Sequence, residues 1–230
     1  MSSGRRAVLL DGMGTLLRLE PPAPLLRREL RDRLGLVISS RDAERAVDAE
    51  IAYYRDHHNE GRDRASLATL RRRCARAVRD ALGSIAADAP LEEMTRALMA
   101  SLHFRAYPDA PGALRTLRAR GMRLVVVSNW DVSLYDVLGA TGLADLLHGA
   151  IASAELGAAK PDPAIFRHAL TLAGVPAPHA LHVGDSLDAD VAGAQAAGIA
   201  AALLDRKGGH EAPPDVPVLR SLRELPALVA

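Results

Sequence analysis

The chain opens on a short apolar run, Ala7-Val8-Leu9-Leu10, cut off by Asp11 and a glycine-spaced turn, Gly12-Met13-Gly14, before Leu16-Leu17 restores the apolar character. Unbroken apolar residues bounded by a turn predict a buried strand, since a helix of that burial needs a longer periodic stretch. From residue 20 to about residue 105 the texture changes. Charges are dense, and apolar residues such as Ala46, Val47, Ile51 and Tyr54 recur at three and four, which predicts helices with one buried face and no strand. Punctuation divides this stretch into four helices. The first runs from Pro24 to about Leu34, before Gly35. The second starts at a Ser40 N-cap and reaches about His58, with Gly61 as its stop. The third spans Asp63 to Leu82, ended by Gly83. The fourth runs from Leu91 to about Phe104, with Asp88 or Pro90 near its start.

Beyond about residue 109, apolar runs alternate with amphipathic ones. Met122–Ser128 (MRLVVVS), Ala150–Ala154, Ala180–Gly184 and Ile199–Leu204 read as strands, with helices near 111–120, 133–141, 161–173 and 188–197. A short strand near Val218 and a helix from Ser221 finish the chain. Strand–helix alternation predicts an α/β fold with a Rossmann-like parallel sheet. Its core is built from residues 1–19 and 106–230, and an inserted α-helical cap domain occupies 20–105. The insertion follows the first strand, at whose carboxyl end open α/β sheets bind ligands.

Composition narrows the function classes. At 230 residues, with 49% apolar and 25% charged positions, the chain is long and apolar enough for a sizeable core. With 29 basic and 28 acidic residues the net charge is +1, and aromatics reach only 3%, so neither a basic face nor a base-stacking platform for nucleic acid is expected. No run approaches the ~18 apolar residues of a membrane span, and the apolar run after Arg5-Arg6 is too short for a secretory signal. Cys74 is the single cysteine, so no internal disulfide can form. It is expected to be a buried, inert thiol in a soluble protein of the cytoplasm.

Four segments carry candidate chemistry, each closing a predicted strand or opening a helix. Asp11-Gly12-Met13-Gly14-Thr15-Leu16 puts an acid at the mouth of the sheet, with glycines that let the backbone turn. Ser128-Asn129 supplies a hydroxyl and an amide. Lys160-Pro161 sets an ammonium ahead of a proline-started helix, which suits an anion. Gly184-Asp185-Ser186-Leu187-Asp188-Ala189-Asp190 clusters acids that are costly together unless they bind a cation or face water. Each segment alone is ordinary turn or surface chemistry; their order along the chain is not.

In that order the segments resemble the four motifs of the haloacid dehalogenase (HAD) superfamily, in the branch whose helical cap follows the first strand. The resemblance covers essentially the whole chain. It implies a hydrolase in which Asp11 is the nucleophile and Lys160 offsets negative charge. Ser128, Asn129 and Lys160, with Gly12, Met13 and Thr15 of the first loop, would hold the substrate. Mg²⁺ would be held by Asp11, the Met13 carbonyl and Asp185, with Asp190 binding or orienting that shell. Asp188 is expected to be solvated or to cap a helix. The substrate implied is a small phosphorylated metabolite.

One position departs from the family pattern. Its phosphatases carry a second aspartate two residues after the nucleophile, where this chain has Met13. That aspartate protonates the leaving oxygen and activates water, a role that typically contributes ~10² to 10⁴ in rate. Its loss leaves several expectations open. The enzyme would be restricted to good leaving groups, or would use another acid such as His57 or His58, or would bind phosphate ligands with little turnover. A 2-haloacid dehalogenase activity is the further alternative, because halide leaves unprotonated; those metal-independent relatives, however, lack the Gly184-Asp185 pair. Residues 53–64 (YYRDHHNEGRDR) and Trp130-Asp131 are further candidates for contact with substrate or for packing.

Overall fold

The apolar run ahead of Asp11 forms β1 (Ala7–Leu10), with every side chain buried. A computed structural model describes residues 4–209 and 213–229. After β1 come β2 (Leu17–Leu19) and four helices, α1 (Pro22–Leu34), α2 (Ser40–His57), α3 (Arg64–Leu82) and α4 (Leu91–Ser101). The chain continues through β3 (Phe104–Ala106), α5 (Ala110–Ala119), β4 (Arg123–Ser128), α6 (Leu134–Ala140), β5 (Gly149–Ala152) and α7 (Ser153–Leu156). It closes with α8 (Pro163–Ala173), β6 (Ala180–Gly184), a π-helical turn at Leu187–Ala192, α9 (Gly193–Ala196), β7 (Ala200–Leu204), β8 (Val218–Leu219) and α10 (Leu225–Leu228). Two compact units result, one from residues up to Arg18 and from Arg105 onward, the other from Leu19–Phe104.

The first unit is a sheet of order β5-β4-β1-β6-β7-β8. Its strands pair in parallel throughout. This is the doubly wound order of Rossmann-type folds, and its topological switch lies between β1 and β6. Leu10 is in register with Val183, and the Asp11 amide donates to the Val183 carbonyl at 2.9 Å. The segments that follow β1 and β6 therefore leave the sheet side by side. One face of the sheet packs Leu9, Val125 and Val127 against Ile165 and Phe166 of α8 and against Val191. That burial fixes the direction of every loop at the carboxyl edge.

The second unit is a four-helix core of Leu26, Leu30, Ala46, Leu70, Val78, Met94 and Leu98, with Cys74 buried among them. Its helices begin and end as elementary capping requires. Asp63 accepts from Ser66 N at 2.8 Å in a capping box with Ser66, and Gly35 takes the left-handed conformation that ends α1.

Four local expectations need correction. The cap of α2 is Ser39, which accepts from Asp42 N at 3.1 Å; Ser40 is already helical. The fourth helix stops at Ser101 because Leu102 is extended, and Phe104 begins a strand that pairs with β2, in a stretch expected to hold none. Ala152 ends β5, and Ser153 and Ala154 turn into α7, anchored by Ala154 N donating to Trp130 O. The helix expected over 188–197 is instead a π-helical turn followed by a short α-helix.

Glu50 on α2 is 5% exposed, and burial pushes its carboxyl up to about 7 although the Cys74 thiol hydrogen-bonds to it. A carboxylate raised above its unfolded value binds more protons folded than unfolded. It therefore stabilises fully below about pH 4.5, and the contribution is lost as pH rises toward about 7. Glu50→Gln should remove this loss. Urea unfolding at pH 8 is expected to find the variant more stable by about 1–3 kcal/mol, the upper figure being the whole shift at ~1.4 kcal/mol per pKa unit. Equal or lower stability would show that the charged Glu50 is well accommodated.

Candidate active site

Asp11 is 6% exposed where β1 ends, and Lys160 Nζ donates to its Oδ1 at 2.6 Å. The same ammonium donates at 2.6 Å to Asp190 Oδ1. Lys160 is itself buried at 5% exposure, so one cation is shared by two carboxylates in a desolvated place. Its backbone is held by Asn129. The Asn129 amide donates to Lys160 O at 2.9 Å, and its Oδ1 accepts from Lys160 N at 2.7 Å. Both ends of that amide are thus committed to positioning Lys160.

Asp190 reaches this point because the chain widens locally. Ser186 O accepts from both Asp190 N and Val191 N at 3.1 Å, the mark of a π-helical turn. The turn aims Asp190 back at β6, where Ser186 N donates to its Oδ2 at 3.0 Å. His182 Nε2 lies 2.9 Å from Asp190 Oδ1, and the ring meets Phe166 edge-on. A side chain at Gly184 could not coexist with this approach, since a Cβ there would lie 2.1 Å from Asp190 Cγ.

The two carboxylates titrate in opposite directions. Burial pushes Asp11 above the usual carboxylate range; Lys160 opposes the rise, and Asp190 and Asp185 add to it. Burial disfavours the charge of Asp190 as well, but Lys160 and His182 outweigh it and hold the carboxyl well below its ordinary value. The difference follows from donors: three converge on Asp190, one on Asp11. Burial also disfavours charge on Lys160, yet Asp11 and Asp190 hold it firmly protonated. Burial lowers the basicity of His182.

Three polar atoms here, Asp11 Oδ2, Thr15 Oγ1 and His182 Nδ1, are buried with no hydrogen-bond partner among the described residues. Asp185, exposed, completes a trio with Asp11 and Asp190 whose ligand atoms lie within 4.8 Å of one another. Hard carboxylate oxygens converging from Asp11, Asp185 and Asp190 are a donor set that suits a small divalent cation. Gly14 makes room for the trio: it sits at φ 85°, and a Cβ there would lie 1.9 Å from Asp185 Oδ2. At Gly12 a Cβ would come within 2.8 Å of Ser128 Oγ, so the buried hydroxyl lies against the first loop.

A haloacid dehalogenase-like hydrolase family matches residues 5–198. The chain belongs to that family. It is 38% identical over 128 residues to haloacid dehalogenase-like hydrolase domain-containing protein 3 of Danio rerio, covering 54% of this chain and 53% of the relative. Phosphoserine phosphatase of Thermus thermophilus is 40% identical over 123 residues, 52% of this chain and 49% of that protein. The chain spans about half the length of these curated relatives. Among solved structures, 2-haloacid dehalogenase from Pseudomonas syringae superposes with a TM-score of 0.68 at 27% identity, covering 98% of each chain. The HAD-like fold alone thus accommodates both phosphatase and dehalogenase chemistry.

The structure brings Asp11, Gly12, Thr15, Ser128, Asn129, Lys160, Asp185 and Asp190 of this HAD member to one edge of the sheet. Met13 is 36% exposed on the first loop. Asp188 is exposed, and the cap of its turn is Ser186, which accepts from Ala189 N. Trp130 and Asp131 are buried, with Trp130 N donating to Ser153 Oγ and Ser133 N to Asp131 Oδ1. His57 and His58 are each tied through Nδ1 to a backbone carbonyl of the preceding turn, at Tyr53 O and Arg55 O.

Sequence reading missed His182 and a brace beneath the first loop. Arg206, just past β7, donates from Nε to Gly14 O at 3.2 Å and from one terminal nitrogen to Thr15 O at 2.8 Å. It also forks onto Asp109 at 2.8 and 3.0 Å and lies 3.8 Å from the centre of the Tyr107 ring. Burial works against the Asp109 charge, but Arg206, Ser221 and the Leu222 amide hold its carboxyl down at about 2. Arg206→Ala should cost about 2–4 kcal/mol in chemical unfolding at pH 7, below the ~3–5 kcal/mol for breaking a fully buried ion pair because the guanidinium keeps some exposure. Asp109 is depressed in the folded state, so its contribution is present above about pH 4 and lost as pH falls through about 2. Asp109→Asn should flatten that acid limb; an unchanged limb would assign the acid sensitivity elsewhere.

Proposed function

We propose that this HAD-like hydrolase is a Mg²⁺-dependent phosphatase of small phosphorylated metabolites that works through Asp11. The observation that carries the reading is the shared ammonium: Lys160 engages Asp11 Oδ1 and Asp190 Oδ1, leaving Asp11 Oδ2 buried and without a partner among the described residues. That oxygen is available for attack on phosphorus. Attack breaks the bond to the ester oxygen and yields an aspartyl-phosphate. Water then attacks that phosphorus, and the carboxylate of Asp11 is regenerated with release of phosphate. Ser128 and the Lys160 ammonium bind the phosphoryl oxygens and offset their charge. Asn129 keeps Lys160 in place.

The residues fit a divalent ion unequally. Asp11 and Asp185, with the Met13 carbonyl, would hold it. Asp190 would orient the shell, since both its oxygens already accept hydrogen bonds. When bound, Mg²⁺ supplies charge stabilisation for a phosphoryl group. The helical insert, entered from the Asp11 loop, takes the role of cap, and the residues of the 53–64 cluster are its candidate specificity determinants. A cytoplasmic location fits this chemistry, and no helix among the described residues is long and apolar enough to cross a membrane.

Met13 shapes the substrate class. A thioether cannot protonate a leaving oxygen, so the reading favours acyl and aryl phosphates, whose leaving groups need little help. Mg²⁺-dependent phosphate release is expected from these and not from alkyl phosphates, and it should vanish in Asp11→Asn and on chelation. Met13→Asp is expected to raise alkyl-phosphate turnover by about 10²-fold or more, the contribution of a general acid. No release above the Asp11→Asn background from any ester would overturn the reading. The same missing acid favours one second reading, a 2-haloacid dehalogenase, for which metal-independent halide release would be decisive. Tight phosphate binding without turnover would mark a binding protein.

A further inference from the structure

At the opposite, amino edge of the sheet lies a cleft of about 440 Å³ that the chemistry above does not use. Arg5 and Arg6 precede β1, Arg120 closes α5, and Arg123 opens β4; all four line it, together with the turns at Gly121 and Gly174. No acidic residue lines it, and none of the four guanidiniums pairs with a carboxylate among the described residues. Across the chain 29 basic and 28 acidic residues balance, so four arginines around one cleft with no acid among its lining residues make a local excess of positive charge. The unbalanced charge is local and concave.

Two of the arginines are anchored. Arg5 donates to the Ala180 carbonyl at 3.1 Å, and Arg120 donates to the Pro226 carbonyl. A tethered guanidinium loses less rotamer freedom when it binds, and its planar fork matches phosphate and carboxylate oxygens two at a time. Four arginines around one cleft give it a positive potential that an anion would offset. The volume falls within the ~300–1,000 Å³ of small-molecule sites.

We propose that this cleft is a second binding site, for a small polyanion that carries two or more phosphoryl or carboxylate groups. It lies at the far end of β1 from Asp11, roughly 16 Å away at ~3.3 Å per strand residue. Occupancy there joins the start of β1 to the start of β4 and leaves the catalytic edge uncovered. The site does not depend on the phosphatase reading.

The test is calorimetric titration of the full chain with pyrophosphate and, separately, citrate, in EDTA and low salt. Pyrophosphate has the phosphoryl form of the ligand and citrate the carboxylate form, and binding of either supports the site. About tenfold or greater weakening is expected in Arg6→Gln/Arg123→Gln, and comparable weakening at 0.5 M salt, since the attraction is between exposed charges. Ser128→Ala, at the catalytic edge, should bind as the parent does. Circular dichroism and thermal unfolding establish that the double variant is folded; if it is not, Arg120→Gln alone replaces it, with the same weakening expected. No binding at about 5 mM of either anion would overturn the proposal. So would binding that survives the arginine substitutions or disappears with Ser128→Ala.

Discussion

A single buried ammonium organises the carboxyl edge of this protein. Lys160 sits between Asp11 and Asp190, each 2.6 Å away, in surroundings that exclude most water. Two carboxylates this close would repel and could not both ionise without it. The sheet brings Asp11 to the spot, the π-helical turn brings Asp190, and Asn129 fixes the lysine backbone. Three separate stretches of chain thus converge on one positive charge. The Arg206 brace and the glycines at 12, 14 and 184 work toward the same end, because each lets a loop come close enough.

The arrangement divides labour between the two carboxylates. Asp190 is saturated with donors and stays ionised, which suits a group that holds others in place. Asp11 keeps one oxygen without a partner among the described residues, which suits a group that reacts. Both side chains are comparably buried, so the asymmetry comes from their neighbours: Asp190 and Asp185 raise Asp11, and Lys160 and His182 lower Asp190 by charge and hydrogen bonding. Met13, exposed on the same loop as Asp11, carries a thioether, which has no proton to donate.

Much of this was legible in the sequence because it rests on local signals. Predominantly apolar runs marked β1, β4, β6 and β7, and the acid, hydroxyl, lysine and acid cluster each stood at an element boundary. What stayed hidden depends on distance in the chain or on subtle local geometry. The strand at Phe104–Ala106 is too short to show a period of two. His182 looks like one polar residue in an apolar strand, and only the fold shows that it faces Asp190. Arg206 and Asp109 are 97 residues apart, and no spacing rule connects them. Ser39 and Ser40 are equally good caps by type, so backbone conformation decided between them.

The widened turn at Leu187–Ala192 ties the acid motif to chain length as well as to composition. A π-helical turn holds one residue more than its α-helical counterpart, and each residue of a helix turns the next by ~100°. The segment therefore works as a phase adjuster. It lets Asp190 face the lysine while Val191 and Ala194, close behind it, still face the apolar core. In a regular helix of the same composition one of these two alignments would be lost.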